Sequence, residues 1–146
     1  MNFGFKKAED SPGFLLWQLT NQWQQQQRKA LSPLGLTHPQ FVALAGILWL
    51  SSIYESGPSQ VQVAEFTHID KMMMSDLVQT LLVKKLVDRH RHPEDKRAYS
   101  VILTDKGHAV TLKAIPLVEG VDAAFFRQET KGLSQLVDIL NQRLVL

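Results

Sequence analysis

The segment from Asp70 to Gly107 constrains the fold of this 146-residue chain more than any other. Past Asp70, apolar residues recur at positions i, i+3, i+4, i+7 and i+8, which is the spacing of one face of an α-helix. These residues are Met74, Leu77, Val78, Leu81 and Leu82. Two segments of strand length follow, at 86–92 and 97–103, and residues 93–96 between them have the composition of a turn. The order predicts a helix, capped by Asp70, that leads into a β-hairpin.

The opposite side of that helix carries side chains that suit a DNA groove. Ser75, Gln79 and Thr80 can bond base edges or phosphates. Met72 and Met73 lie off the apolar stripe, and apolar groups in the first turn of a reading helix can meet thymine methyl groups. The pattern therefore indicates a recognition helix in the major groove.

Asp76, on the same side of the helix, leaves a second interpretation open. A carboxylate near phosphates is repelled, although it can accept from a cytosine amino group. The adjacent methionines Met72 and Met73 also suit a surface that covers a neighbouring helix or protein, because Met adapts to irregular contacts. The alternative function is a protein-interaction module that has kept the fold and has weak or lost DNA binding.

The hairpin carries a cluster of basic residues. Six of the sixteen Lys and Arg lie between positions 84 and 97: Lys84, Lys85, Arg89, Arg91, Lys96 and Arg97. The acids Asp88, Glu94 and Asp95 dilute this charge, so a solvated surface is one interpretation. The position at the tip of a hairpin after a candidate reading helix favours phosphate or minor-groove contact. Asp95 can hold the Arg97 guanidinium in one orientation, since the two are two residues apart.

Composition excludes several other classes of protein. There is no cysteine, which rules out disulfides, a thiolate nucleophile and cysteine-ligated zinc. The five histidines form no metal set with neighbouring acids, and no nucleophile with a base or glycine-rich phosphate loop stands out. We see no signal peptide, and the most apolar segment, 41–50, is about half as long as a membrane span. We therefore expect a cytoplasmic protein that is not an enzyme and has no cofactor, metal or membrane partner.

Capping signals predict the remaining helices. Ser11 followed by proline opens a helix to about residue 31, and Thr37 with Gln40 forms a capping box for a helix over 38–52. Ser59 with Gln62 opens a short helix to about residue 67, close enough to the Asp70 helix for a helix-turn-helix. Thr104 opens a long helix, and a last helix covers 133–146.

The terminal helices are apolar on more surface than one small domain can cover. The first has a stripe at Leu15, Leu16, Leu19 and Trp23, with Phe14 and Trp17 outside it; the last has one at Leu136, Val137, Leu140 and Leu144. Such helices pack against another chain, so we predict a two-fold homodimer. The fold class is mainly α with a small β-wing in a single domain over 1–146. The winged helix-turn-helix lobe covers about 37–104, and dimerisation helices flank it at 11–31 and 105–146.

These features resemble the MarR family (multiple antibiotic resistance regulators) of bacterial winged-helix transcription factors. The resemblance covers nearly the full length. It is carried by Leu36-Thr37-His38-Pro39-Gln40-Phe41, Leu86-Val87-Asp88-Arg89, Asp95-Lys96-Arg97 and Leu103-Thr104-Asp105-Lys106-Gly107. Any one motif is weak, but their order and spacing are specific.

The resemblance implies a homodimer that binds a pseudo-palindromic operator in double-stranded DNA and regulates transcription. The resemblance also implies that the segment 71–80 reads the major groove and that Arg97, oriented by Asp95, enters the minor groove. The expected DNA-binding residues are Lys71, Met72, Met73, Ser75, Asp76, Gln79, Thr80, Arg91, Lys96 and Arg97. Many members are repressors that a small aromatic or amphipathic effector releases from DNA. Trp17, His38 and Trp49 are candidates for such an effector pocket, and plain packing is the alternative.

Two positions depart from the usual pattern of the family. Relatives often carry a basic residue where Asp76 stands, which puts the affinity or the usual operator sequence in question. Relatives usually carry glycine where Lys85 stands, at the end of the recognition helix. Either Lys85 adopts a left-handed cap conformation, or this helix ends in another way.

Overall fold

The computed structural model of this protein describes residues 4–94, 98–127 and 132–144. The helices of these residues are α1 (Pro12–Leu31), α2 (His38–Ser51), α3 (Gln60–Thr67), α4 (Lys71–Val83), α5 (Asp105–Phe126) and α6 (Leu133–Leu144). The strands are β1 (Val87–Arg91) and β2 (Tyr99–Leu103), and short 3-10 helices cover Ala8–Asp10 and Ser32–Leu34. The mainly helical fold with a small two-stranded wing is confirmed.

The predicted caps fix where the helices begin. Thr37 and Gln40 form a reciprocal capping box, in which the Gln40 amide donates to Thr37 Oγ1 (3.2 Å) and the Thr37 amide donates to Gln40 Oε1 (3.1 Å). Ser59 and Gln62 do the same at the start of α3, at 3.1 and 2.8 Å. Each box satisfies two amides that a helix leaves without partners, which explains why these boundaries are readable from sequence.

One hydrophobic core lies at the centre of the residues from α2 to β2. Fully buried side chains come from every element there, including Leu44 of α2, Val63 of α3, Leu81 of α4 and Val101 of β2. The core extends to Leu31 at the end of α1 and to Ala114 and Val118 of α5. The lobe is therefore seated on the last turn of α1 and the middle of α5.

The wing is an antiparallel pair whose register runs from Val87 opposite Leu103 to Arg91 opposite Tyr99. Its base is joined to the segment before α3, because the Val101 amide donates to the Pro58 carbonyl (2.9 Å) and Ser59 bridges Ser100. The strands are shorter than the predicted segments 86–92 and 97–103. The second half of the predicted turn at 93–96 lies outside the described residues.

The terminal helices contrast with this core. Helix α6 has no buried residue, and on α1 only Gln27 and Leu31 are buried. Among the described residues, no single helix is long and apolar enough to cross a membrane. The segments Pro12–Leu34 and His38–Ser51 reach that length and hydropathy only together, and they are bent by 77°.

Candidate DNA-binding interface

Helices α3 and α4 form a helix-turn-helix whose turn is held by two local devices. Helix α3 ends at His68, which has a left-handed backbone (φ 56°). Asp70 then caps α4, because its Oδ1 accepts from the amides of Met72 (2.9 Å) and Met73 (3.3 Å). Loss of the Asp70 cap would destabilise the first turn of α4, which is the turn predicted to enter a DNA groove.

Helix α4 is divided cleanly into a buried side and an exposed side. Met74, Val78 and Leu81 are fully buried, as expected for the apolar stripe. The residues predicted to contact DNA from this helix are all exposed: Lys71, Met72, Met73, Ser75, Asp76, Gln79 and Thr80. Met72 has the largest exposed fraction among the large apolar residues, at 80%. The structure therefore brings these seven side chains together on one accessible surface.

One of these side chains is already engaged by its own helix. The Thr80 hydroxyl donates to the Asp76 carbonyl (3.0 Å). Its proton is thus not free for a phosphate, although its oxygen can still accept. Asp76 places an exposed carboxylate in the middle of the surface, with Ser75 and Gln79 as its neutral neighbours.

The wing contains a functional candidate that the sequence reasoning missed. The guanidinium carbon of Arg89 lies 4.6 Å from the centre of the Tyr99 ring. The register explains this contact, because Tyr99 pairs with Arg91 and Arg89 is its diagonal neighbour on the same face. Stacking on an aromatic ring orients a cation and lowers the entropy it loses on binding phosphate. Only the register reveals the pair, since ten residues separate it in sequence.

Arg91, the predicted wing contact on β1, is exposed at the end of the strand. The other predicted wing contacts, Lys96 and Arg97, and the orienting residue Asp95 lie outside the described residues. The pairing of Asp95 with Arg97 therefore stays a prediction.

The junction of α4 and the wing is built from the family-like motifs. Lys85 has a left-handed backbone (φ 60°), so the first of the two predicted alternatives is right: a non-glycine residue adopts the cap. The Thr104 hydroxyl donates to the Lys85 carbonyl (2.7 Å) and accepts from the Gly107 amide (3.0 Å). Gly107 leaves no room for a side chain, because a Cβ there would lie 1.8 Å from the Leu86 carbonyl oxygen. These contacts fix the wing relative to α5.

Lys84 does not belong to the basic cluster that can contact DNA. Its ammonium group donates to the Gly35 carbonyl (2.7 Å) and to Gln40 Oε1 (3.0 Å). It therefore joins the end of α4 to the start of α2, and this part of the cluster is structural.

Two cavities in the described part of the chain include none of the three residues proposed for an effector pocket. Trp17 and Trp49 are exposed, at 67% and 64%. His38 is partly buried and lies edge-on to Trp23, with ring centres 4.9 Å apart. One of these two cavities is formed by the end of α1 and the following turn, and the other, of about 440 Å³, lies between α1 and α5. The assignment of this pocket stays a prediction.

His38 belongs instead to a polar cluster at the junction of α1, α2 and α5. Asp122 Oδ1 accepts from Trp23 Nε1 (2.6 Å) and from Gln27 Nε2 (3.0 Å). Burial lowers the pKa of His38 from its ordinary value of 6.5, and the negative charge of Asp122 opposes part of that shift. The buried Gln27 Oε1 has no hydrogen-bond partner among the described residues. The cluster connects the helices outside the lobe to its first helix.

Within the described ranges, no group of three or more His, Asp or Glu side chains lies close enough to hold a metal ion. The site offers instead an exposed helix face and an exposed hairpin, both positioned by a rigid core. This arrangement suits contact with the groove and backbone of a nucleic acid.

The helix-turn-helix, the hairpin and their motifs define a winged-helix DNA-binding fold. The sequence model of the MarR family matches residues 36–99. The uncharacterised HTH-type transcriptional regulator YdcH of Bacillus subtilis is 39% identical over 139 residues, which cover 93% of this chain and 94% of that protein. The HTH-type transcriptional repressor Rv2887 of Mycobacterium tuberculosis is 31% identical over 117 residues, 80% of this chain and 81% of that protein.

Among solved structures, CouR from Rhodococcus jostii RHA1, bound to p-coumaroyl-CoA, is similar with a TM-score of 0.82 at 25% identity. The match covers 96% of each chain. The chain belongs to the MarR family, a family of transcription regulators.

Proposed function

We propose that this protein is a homodimeric, sequence-specific DNA-binding repressor that a small-molecule effector releases from its operator. The observation that carries the proposal is the exposed face of α4 beside the wing, because it presents groove-reading side chains on a helix held by its N-cap and buried stripe. The name of Rv2887 as a repressor supports the direction of regulation. The p-coumaroyl-CoA in CouR supports an effector that combines an aromatic and a polar part.

In this proposal the lobe that contains the core and the helices that flank it have separate roles. The lobe over about 37–104 binds a half-site of a pseudo-palindromic operator, and the helices at 11–31 and 105–146 join two copies. The exposed apolar residues of α1 and α6, such as Leu16 (57%) and Leu144 (60%), support that pairing. We also propose that the protein is not an enzyme and works in the cytoplasm, where bacterial DNA is accessible.

Fluorescence anisotropy with the duplex upstream of the protein's own gene, and with a scrambled duplex, tests DNA binding across a range of salt. Tight, salt-dependent and sequence-selective binding is expected. Arg97→Ala should weaken the binding of the upstream duplex by about 1–3 kcal/mol. It should also reduce the slope of log K against log salt concentration by about 1 for each phosphate contact that is lost. Arg28→Ala, which removes the same charge from an exposed position of α1, is the matched control. Unchanged affinity for Arg97→Ala would remove Arg97 from the interface.

A second candidate is a protein-interaction module with weak DNA binding. The exposure of Met72 (80%) and Met73 (45%) around the carboxylate of Asp76 favours it. Equal, weak binding to the upstream duplex, the scrambled duplex and a library of genomic fragments would support this candidate over the first.

A further inference from the structure

A second exposed surface lies on α2 and α3, which contribute none of the proposed DNA contacts. The three most exposed of its large apolar residues are Trp49 (64%), Ile53 (63%), which follows the end of α2, and Phe66 (49%). We call these three residues the α2–α3 patch. Large aromatic side chains are rarely left this exposed without a partner, because their burial contributes strongly to binding.

Helical spacing and the packing of α3 on α2 place the three side chains at neighbouring positions along α2 and the turn that follows it. Phe66 packs against α2 at Gly46, where an added Cβ would lie 3.7 Å from Phe66 Cδ1. Trp49 lies one turn beyond Gly46 on the same helical face, since residues three and four apart are neighbours. Ile53 lies one turn further, where the chain still follows the helix, because its amide donates to the Leu50 carbonyl (2.9 Å).

The acidic and basic residues nearest this patch in sequence have one sign of charge. The chain has sixteen Lys and Arg, but none lies between Lys29 and Lys71. The charged side chains near the α2–α3 patch in sequence are Glu55 and Glu65, and both are exposed. An acidic, apolar surface disfavours DNA and anionic lipid and is complementary to a partner with apolar anchors and flanking basic residues.

We propose that the α2–α3 patch docks an amphipathic basic helix of another protein. The apolar side of that helix covers Trp49, Ile53 and Phe66, and its Lys or Arg residues face Glu55 and Glu65. A docked helix of this kind presents apolar anchors at i, i+3 or i+4 and i+7, and these anchors cover the patch. The docking goes beyond the DNA-binding proposal, since it leaves the outer face of α4 and the wing unused.

The test uses the full-length protein and two labelled helical peptides of about 18 residues, one of leucine and lysine and one of leucine and glutamate. Anisotropy should show that the lysine peptide binds more tightly. Trp49→Gln with Phe66→Gln should weaken that binding by about tenfold or more, as for truncated interface anchors. Val83→Gln, at a position 76% exposed on α4, is the matched control and should change nothing. Glu55→Lys with Glu65→Lys should reverse the preference between the peptides.

Three results would overturn the proposal. The first is equal binding of both peptides, and the second is an equal loss with Val83→Gln, which would indicate non-specific adhesion. The third is assembly beyond a dimer that depends on Trp49 without peptide, which would make a second copy of the chain the occupant. DNA affinity and thermal unfolding of the Trp49→Gln Phe66→Gln variant, which keeps the charge of the protein, should match those of the unmodified protein. Weaker peptide binding by that variant therefore tests the patch independently of the DNA-binding proposal.

Discussion

The lobe from α2 to β2 and the terminal helices α1 and α6 have similar helix-forming sequences but opposite relations to solvent. Seven residues of the 14-residue helix α2 are buried, whereas α6 has none in 12 residues. The core of the lobe is completed by the end of α1 and the middle of α5, whereas the apolar stripe of α6 is left uncovered. An amphipathic helix is stable only when its apolar face is buried, so this difference indicates which part of the molecule is self-sufficient and which needs a second copy.

The largest effect should come from the core of the lobe. Leu44→Ala removes a fully buried side chain and should lower the free energy of unfolding by about 2–5 kcal/mol, because it leaves a cavity. Val83→Ala, at an exposed position, should change it by less than about 0.5 kcal/mol. Urea unfolding at one protein concentration measures both, and similar losses would mean that the core is not where the structure places it.

The next largest effect should come from the uncovered stripe of α6. Leu140→Lys places a charge in the proposed dimer interface and should raise the dimer dissociation constant by about 30-fold, as expected for the loss of an interface anchor. The lobe should stay folded, since Leu140 is exposed and is not a member of its core. Sedimentation equilibrium measures the constant, with Asn141→Lys as the neighbouring control. A dimer that resists Leu140→Lys would place the interface elsewhere.

A smaller effect is expected on the recognition surface. Asp76→Asn removes one exposed negative charge without changing shape and should increase duplex affinity by about two- to fivefold at moderate salt, on the order of 0.5–1 kcal/mol. Asp138→Asn on α6 should leave affinity unchanged. Anisotropy titrations compare the duplex affinities of the two variants with that of the unmodified protein. If affinity does not rise, Asp76 does not suppress DNA binding, and the carboxylate no longer favours an interaction module.

The smallest effect concerns the cluster that joins the two regions. His38 has a lowered pKa in the folded protein, so below pH 6.5 the unfolded chain binds a proton more readily than the folded one. Stability from this group is therefore fully present above that pH and declines as the pH falls towards the lower folded value. Urea midpoints at pH about 7.5 and about 5.5 should differ less for His38→Gln than for the unmodified protein. An equal difference between the two midpoints in both proteins would show that the folded protein does not lower the pKa of His38.

Local chemistry determined most of the fold. Thr37, Ser59, Asp70 and Thr104 bind amides within three residues of themselves, so the starts of the helices are readable in the sequence. The exposed face of α4 was likewise predictable, because a buried stripe at 3.6-residue spacing fixes the opposite side. The motifs at 86–89 and 103–107 predicted the wing without its exact register.

Only the tertiary structure decided which charged and aromatic side chains meet. Lys84 was part of a basic cluster by sequence, yet it bonds Gly35 and Gln40, which lie more than forty positions away. Arg89 stacks on Tyr99 because of the strand register, and Trp23, Gln27 and Asp122 meet because α1 packs on α5. These contacts depend on how distant elements are placed by burial of their apolar faces, and no local spacing encodes that placement. The sequence by itself determined the elements and their exposed faces; packing determined the partners of each side chain.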